Sequence, residues 1–208
     1  IPSDPSSASF FIAAALMVEN SNLTLKNVCM NKTRIGFLKV VNKMGARIEV
    51  LNKRTICGEP VADLKVRSSK LNGVVVPKEL VPSMIDEFPI LSVLATTAKG
   101  ETKMQNVREL RVKESDRIFS MSEGLRQCGV AVDNGDDFLT VKGMHSVKGG
   151  KSINTYRDHR IAMSFICLGQ IAQNPIEINE ADSIATSFPN FIEKFKEIGG
   201  NLSEKLTQ

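Results

Sequence analysis

The sequence of 208 residues predicts an α/β (α+β) domain made of three repeated helix–strand–helix–strand–strand units. Two observations support this prediction. Three short segments alternate apolar and polar residues as strands do, and each follows a strongly apolar helical run. An amphipathic helical run then follows each segment and ends at a glycine, the residue most often found just after a helix. We therefore expect three buried parallel helices, surrounded by three outer helices and small sheets.

The elements can be placed in order along the single domain at 1–208. The repeat gives units of approximately 5–70, 71–143 and 144–200, followed by a tail at 201–208. The buried helices are predicted at 7–18, 89–98 and 160–172, and the strands that follow them at 23–26, 102–105 and 176–179. The outer helices are predicted to end at Gly45, Gly129 and Gly199. Two more strands follow in the first two units, at 47–51 and 63–67 and at 130–133 and 138–141, whereas the last unit stops short.

Composition excludes several classes of protein. Hydrophobic residues make up 42% of the chain and charged residues 24%, so it can bury a core. A net charge of +4 with one Tyr and no Trp is not typical of a nucleic-acid-binding protein. The four cysteines are not spaced as in a zinc finger, so no metal site is expected. No apolar run is long enough for a membrane span, and no leader peptide is visible. Nothing about the cysteines demands an oxidising compartment, so the cytoplasm is expected.

The first unusual helix entrance lies at 108–118, before an amphipathic helix whose apolar face begins at Ile118. Lys113, Glu114 and Arg117 stand at this entrance, although the positive end of the helix macrodipole favours acidic residues over cations. Glu114 and Arg117 are three residues apart and share a face. Taken alone, the segment fits a solvated first turn with a surface ion pair that stabilises by under about 1 kcal/mol.

The second unusual entrance lies at 154–161, where Arg157 and Arg160 precede a buried helix. Cations there cost about 0.3–1 kcal/mol each, and a bound phosphate or carboxylate would offset that cost. Asp158 alone could instead neutralise the turn, with both arginines on the surface. Because the repeat places both entrances at one end of the domain, we expect an anion site at that end.

Two further segments should reach the same end of the domain. Ser6 or Ser7 is expected to cap the first buried helix. Asp86 and Glu87 precede the second buried helix, where acidic residues complement the macrodipole. One of these two carboxylates could also accept a hydroxyl proton from a substrate.

Four segments resemble those of a known enzyme family. Residues 111–117 and 156–163 are similar to signature segments of the 5-enolpyruvylshikimate-3-phosphate synthases. Residues 4–8 resemble the segment where the family's chain crosses between its two domains, and 186–189 resemble its last characteristic stretch. The matches are in order and span nearly the whole chain. The resemblance implies one domain of the enolpyruvyl transferase fold, in which two such domains enclose a cleft and no cofactor is required.

The resemblance also implies a reaction and roles for individual residues. The family transfers the enolpyruvyl group of phosphoenolpyruvate to the 5-hydroxyl of shikimate-3-phosphate and releases phosphate, in the shikimate pathway to chorismate and the aromatic amino acids. Arg117 and Arg160 match arginines that hold phosphoenolpyruvate, and Lys113 matches a lysine on the shikimate-phosphate side. Glu114 matches the acid that protonates the methylene carbon. Asp86 matches the carboxylate that contacts the shikimate hydroxyls and takes the proton of the attacking one.

Other positions are implied to have smaller roles or depart from the family pattern. Asp158 and His159 lie in the matched motif, and the resemblance implies supporting roles for them. Ser3 stands where the family usually has Gly. Thr186 stands where some members have a lysine in the cleft, and Glu109 where some have an asparagine near the substrate ring.

The chain resembles the C-terminal half of the enzyme, so the family's other phosphate-binding residues lie outside it. We expect it to fold alone, to be inactive alone, and to need the N-terminal half as its partner in an enzyme that is monomeric when complete. One alternative is the sibling transferase that acts on UDP-N-acetylglucosamine. Another is a non-catalytic repeat domain that binds polyanions, which Glu114 and Asp86 would repel.

Overall fold

The computed structural model describes residues 1–204 of the chain, which form a mixed α/β domain. The helices are α1 (Pro5–Met17), α2 (Gly36–Lys43), α3 (Phe88–Ala95), α4 (Arg117–Gln127), α5 (His159–Gly169) and α6 (Phe191–Glu197). The longer strands are β1 (Asn22–Cys29), β2 (Arg47–Ile56), β3 (Glu59–Arg67), β4 (Glu101–Gln105), β5 (Val132–Gly135) and β6 (Phe138–Lys142). The short ones are β7 (Val147–Gly149), β8 (Ser152–Ile153), β9 (Ala172–Asn174) and β10 (Glu177–Ile178). Segments Lys78–Glu87, Arg108–Val112 and Ala181–Thr186 form 3₁₀ turns.

The three outer helices α2, α4 and α6 end in the same way. Gly45, Gly129 and Gly199 follow them with φ of 95°, 86° and 96°, the left-handed region that disfavours a side chain. In each copy the glycine N–H donates three residues back and the next N–H donates five residues back, the hydrogen-bond pair of a Schellman motif. The three repeated glycines in the sequence therefore mark three equivalent helix ends, as predicted.

The sheets reveal parallel pairings in each unit that the sequence did not predict. The sheets with the orders β1-β3-β2 and β4-β6-β5 are antiparallel, and they contain the three strands predicted for each of units one and two. In addition, the segment before each buried helix pairs in parallel with the strand after it. Ser3 pairs with Val28, residues 72 and 75 pair with 99 and 103, and β7 and β8 pair with β9 and β10. Each unit thus begins with a short extended segment, paired at one residue in the first unit, at two in the second and in two ladders of two pairs in the third, too short to leave a period-two pattern.

The third unit departs most from the prediction. The buried helix α5 ends at Gly169, and Ala172, predicted to be in that helix, begins β9 instead. After α6 the unit stops, and the described part of the predicted tail, 201–204, contains no helix or strand. Residues 205–208 of that tail lie outside the described structure.

The core is centred on α1, α3 and α5, which pack against one another. All eight residues of α3 are buried, and so are Ile161 to Leu168 of α5. On α1, Phe10 and Phe11 meet Phe191 of α6 at ring-centroid distances of 6.1 and 5.6 Å. Fully burying a side chain of this size contributes about 1.5–3 kcal/mol, so the three apolar runs supply much of the driving force for folding. Within residues 1–204, no helix is long and apolar enough to cross a membrane.

Candidate active site

The N-termini of the three buried helices lie together at one end of the domain. Arg160, in the first turn of α5, donates from Nη1 to the backbone oxygen of Asp86, just before α3, at 3.2 Å. The same Nη1 lies 3.9 Å from Oε1 of Glu87, whose carboxyl is also close to Ser6 of α1. Because these helices pack together and begin side by side, they run in the same direction. The contacts confirm the predicted convergence of helix entrances.

Arg117 occupies the centre of this end and is only 1% exposed. It donates from Nε to Oδ2 of Asp158 at 2.8 Å, from Nη1 to Oδ1 of Asp86 at 3.0 Å and from Nη2 to Oε2 of Glu114 at 2.5 Å. Burial lowers the pKa of the guanidinium, but the hydrogen bond and charge of Asp158, together with the other two carboxylates, raise it overall. The surface ion pair considered for Glu114 and Arg117 is therefore wrong, because the arginine is buried.

Asp158 is fully buried and joins two helix entrances. It caps α5 by accepting from the backbone N–H of Arg160 at 2.9 Å, and it accepts from the Ser115 hydroxyl at 3.0 Å. Burial is the largest single influence and raises its pKa, but the hydrogen bond and charge of Arg117, together with the hydrogen bonds from the Arg160 N–H and Ser115, lower the pKa below its ordinary value. Asp158 therefore stays ionised, and it holds the start of α5 against the start of α4.

Asp86 is the carboxylate that faces the open side of the cluster. Its side chain is 39% exposed, and three cations surround it. Oδ1 lies 3.0 Å from Nη1 of Arg117 and 3.6 Å from Nζ of Lys113, and Oδ2 lies 3.9 Å from Nη2 of Arg160. Partial burial raises its pKa, but the charges of Arg160, Lys113 and Arg117 lower it overall. Of the two candidate carboxylates, Glu87 is buried, which leaves Asp86 as the one that a ligand can reach.

Glu114, Lys113 and His159 complete the cluster that the sequence predicted. Glu114 is 52% exposed, so one side of its carboxyl is open to solvent. The Lys113 side chain is 21% exposed, and its ammonium donates to Oε1 of Glu109 at 2.6 Å. His159 is the first residue of α5, and burial, followed by the charge of Arg160, lowers its pKa. The imidazole is therefore neutral at pH 7.

Two residues from the sequence motifs lie elsewhere. Arg157 precedes α5 in a left-handed conformation, with φ of 56°, and its side chain is 81% exposed beside Glu180. The prediction that Arg157 opens the helix is wrong, because Tyr156 and Arg157 both have a left-handed backbone conformation before α5 begins. Thr186 donates from its hydroxyl to the backbone of Ser183, inside its own 3₁₀ segment.

Sequence reasoning missed three contributors at this end of the domain. Ser115 was quoted within a motif but given no role, although its hydroxyl binds Asp158. Arg34 lies near the start of α1, where its Nη2 is 2.9 Å from Oδ1 of Asp4. No sequence pattern around Arg34 predicts this position. Asp4, and not Ser6 or Ser7, caps α1, with Pro5 at the first helical position. A proline there is itself a signal that the cap lies one residue earlier.

The described residues contain no group of three or more His, Cys, Asp or Glu that could hold a metal ion. The cluster instead combines three cations, an accessible carboxylate and a half-exposed acid. Such a set can bind an anion, accept a proton and donate one.

Comparison with known proteins agrees with this geometry. The family model for EPSP synthase (3-phosphoshikimate 1-carboxyvinyltransferase) matches residues 1–195. The chain belongs to the EPSP synthase family. The match extends from before α1 to within α6, so it includes every residue of the cluster. It also favours this family over the two alternatives considered from the sequence.

Relatives in the EPSP synthase family cover almost all of the chain. The 3-phosphoshikimate 1-carboxyvinyltransferase of Bartonella quintana is 51% identical over 205 residues, which are 98% of this chain and 46% of the relative. The solved EPSP synthase of Acinetobacter baumannii superposes with a TM-score of 0.93 at 39% identity, over 97% of this chain and 47% of its own. The enolpyruvyl transferase NikO of Streptomyces tendae, at a TM-score of 0.78 and 15% identity, shares the fold. The chain spans about half the length of the curated relatives it matches, which is consistent with a C-terminal half.

Proposed function

We propose that this chain forms the C-terminal half of an enzyme that transfers the enolpyruvyl group of phosphoenolpyruvate to the 5-hydroxyl of shikimate-3-phosphate. The observation that carries the proposal is the convergence of Lys113, Arg117 and Arg160 on the half-exposed carboxylate of Asp86, with Glu114 beside them. The family match supports the choice of this reaction. The N-terminal half would provide the opposite wall of the cleft and further phosphate-binding residues.

The two carboxylates divide the proton transfers between them. Asp86 accepts the proton of the attacking 5-hydroxyl while that oxygen bonds to C2 of phosphoenolpyruvate, and Glu114 delivers a proton to the methylene carbon. The product of this addition is a tetrahedral intermediate that carries a methyl group. Loss of phosphate and of a methyl proton then gives the enolpyruvyl ether. With its pKa lowered by three cations, Asp86 is a weak base until a bound anion draws those cations away.

The cations hold the anionic groups and stabilise the leaving phosphate. Their side-chain exposures are 21% for Lys113, 15% for Arg160 and 1% for Arg117, so an arriving anion meets the first two before the third. Arg117 becomes available only as Asp86 or Glu114 moves off it. Asp158 and His159 have supporting roles, the first by holding Arg117 and the second as a neutral side chain beside Arg160.

The test combines this chain with the N-terminal half of the Bartonella quintana relative and measures phosphate release from the two substrates. We expect no release by either half alone and measurable release by the mixture. Glu114→Gln in the mixture should lower turnover about 100-fold or more with little change in KM, because the proton donor is lost. Glu193→Gln, the same chemical change on α6, is the matched control and should leave turnover unchanged. A Glu114→Gln mixture with normal turnover would remove Glu114 from the mechanism.

A second acceptor distinguishes the alternative function. The same mixture should release no phosphate when UDP-N-acetylglucosamine replaces shikimate-3-phosphate. Phosphate release with UDP-N-acetylglucosamine as the acceptor, and none with shikimate-3-phosphate, would assign the chain to the sibling reaction.

A further inference from the structure

Glu87 is a buried carboxyl that the proposed reaction does not use. It caps α3 and is 4% exposed, whereas the adjacent Asp86 is turned outward. Among the described residues, no group donates a hydrogen bond to its Oε1 atom. The nearest cation is Arg160, with Nη1 at 3.9 Å, too far for a hydrogen bond. The Oε1 atom therefore lacks the hydrogen-bond partner that normally compensates for burial.

The charged groups around Glu87 come from every element that meets it. Arg160 approaches from α5, Arg34 from the turn before α2, and Asp86 from the same segment. The Ser6 hydroxyl approaches from α1, where Arg34 is itself paired with Asp4. Burial is the largest influence and raises the pKa of Glu87, and the cations and the hydroxyl only partly oppose it.

The charge balance at Arg160 depends on whether Glu87 carries a proton. With both Asp86 and Glu87 ionised, the Arg160 guanidinium faces two carboxylates at 3.9 Å each, and Asp86 is also paired with Arg117 and Lys113 whereas Glu87 is not. With Glu87 neutral, one negative charge beside Arg160 is removed, and an added anion meets less repulsion. The proton on Glu87 and an anion on Arg160 therefore favour each other, and by linkage each strengthens the binding of the other.

We propose that Glu87 is a positioning residue for the anion site, one that acts through Arg160 and whose state of protonation sets how much positive charge Arg160 offers to an anion. This inference rests on the proposed function, because it takes Arg160 to be an anion-binding residue. The inference adds to that site one further residue, Glu87, and the proton that its carboxyl binds. The substrate itself need not touch Glu87.

The test uses sulfate as the probe, because its charge is constant over the range measured. Sulfate is titrated into the 208-residue chain between about pH 5 and 8, with binding followed by the amide and guanidinium NMR signals of α5. The proteins are the wild type, Glu87→Gln, Glu87→Asp and Glu79→Gln. Glu79 is exposed and lies in the same 3₁₀ segment, so Glu79→Gln is a control with the same change in net charge. His159 is present in all four proteins, so its own titration cancels in the comparison.

We expect the wild-type affinity for sulfate to fall about threefold to tenfold more than that of Glu87→Gln as the pH rises over the same range. Glu87→Asp retains a titrating carboxyl and should restore the pH dependence, and Glu79→Gln should behave as the wild type. In ¹³C NMR, the pKa of the Glu87 carboxyl should lie above the ordinary Glu value, and sulfate should raise this pKa further.

Two failures can be told apart. Sulfate binding with the same pH dependence in the wild type and Glu87→Gln, or a Glu87 carboxyl that sulfate does not affect, would overturn this inference and leave the anion site intact. Absence of sulfate binding to the wild type at every pH, or binding that Arg160→Ala does not weaken, would overturn the anion site and this inference with it.

Discussion

Replacement of Asp158 by alanine should be among the most damaging single changes in this domain. Asp158 is fully buried and is the carboxylate most completely engaged by Arg117, through Nε at 2.8 Å. The substitution leaves a guanidinium that is 1% exposed with only Asp86 and Glu114, both of which are partly in solvent. It also removes the cap of α5.

The expected loss follows from these two contributions. Removing one partner of a buried ion pair costs about 3–5 kcal/mol, and losing a helix N-cap costs about 1 kcal/mol. The sum is a large part of the stability of a typical domain, about 5–15 kcal/mol. Asp158→Asn keeps a capping side chain and should be less damaging by about the cap contribution. Combining Asp158→Ala with Arg117→Met should recover stability, because no uncompensated charge then remains buried.

The assay is equilibrium unfolding of the chain in urea, with the free energy extrapolated to water. The pKa of Asp158 is lowered in the folded state, so its contribution is present above the ordinary Asp value and is lost as the pH falls through the folded value. The difference between wild type and Asp158→Asn should therefore shrink below about pH 3.9. A loss of less than about 1 kcal/mol for Asp158→Ala at neutral pH would refute the claim that Asp158 holds the cluster together.

Three further expectations concern packing and helix ends. Gly124→Ala would place a methyl group 2.3 Å from the buried Phe165 ring and should lower stability by about 1–3 kcal/mol, measured as a lower Tm. Gly169→Ala, the matched change at the end of α5, meets nothing within 4 Å and should raise stability by about 0.4–1 kcal/mol; equal effects at the two sites would refute the packing argument. Asp4→Ala removes the cap of α1 and should cost about 1 kcal/mol in urea unfolding, more than Ser7→Ala does; the reverse order would restore the serine as the cap.

The sequence predicted those parts of the fold that depend on local patterns. Long apolar runs gave α1, α3 and α5, and Gly45, Gly129 and Gly199 gave the ends of the outer helices, because both signals come from residues close together in the chain. The strand that opens each unit left no such signal. Each of its ladders contains only one or two paired residues, and the partner lies beyond a buried helix.

The sequence predicted most of the residues that cluster at the candidate site, but only part of their arrangement. The cations stood out because they violate the helix macrodipole preference, and their convergence followed from the repeat. The burial of Arg117 did not follow from the sequence, since an arginine in a charged run is ordinarily exposed. Its fully buried partner, Asp158, comes from another unit. Arg157 was misplaced because a left-handed φ in a non-glycine residue has no reliable sequence signal. The catalytic and binding roles of the clustered residues stay predictions.

The pairing of the third unit bears on how the chain folds. Units one and two each contain a hairpin, β2–β3 and β5–β6, whose strands are joined by a few residues and can form early. In the third unit residue 147 pairs with 172 and residue 152 with 177, so both ladders close a loop that contains α5. Closing that loop costs entropy before any contact is gained. The third unit should therefore form last and open first, and its strand amides should exchange with solvent before those of β3.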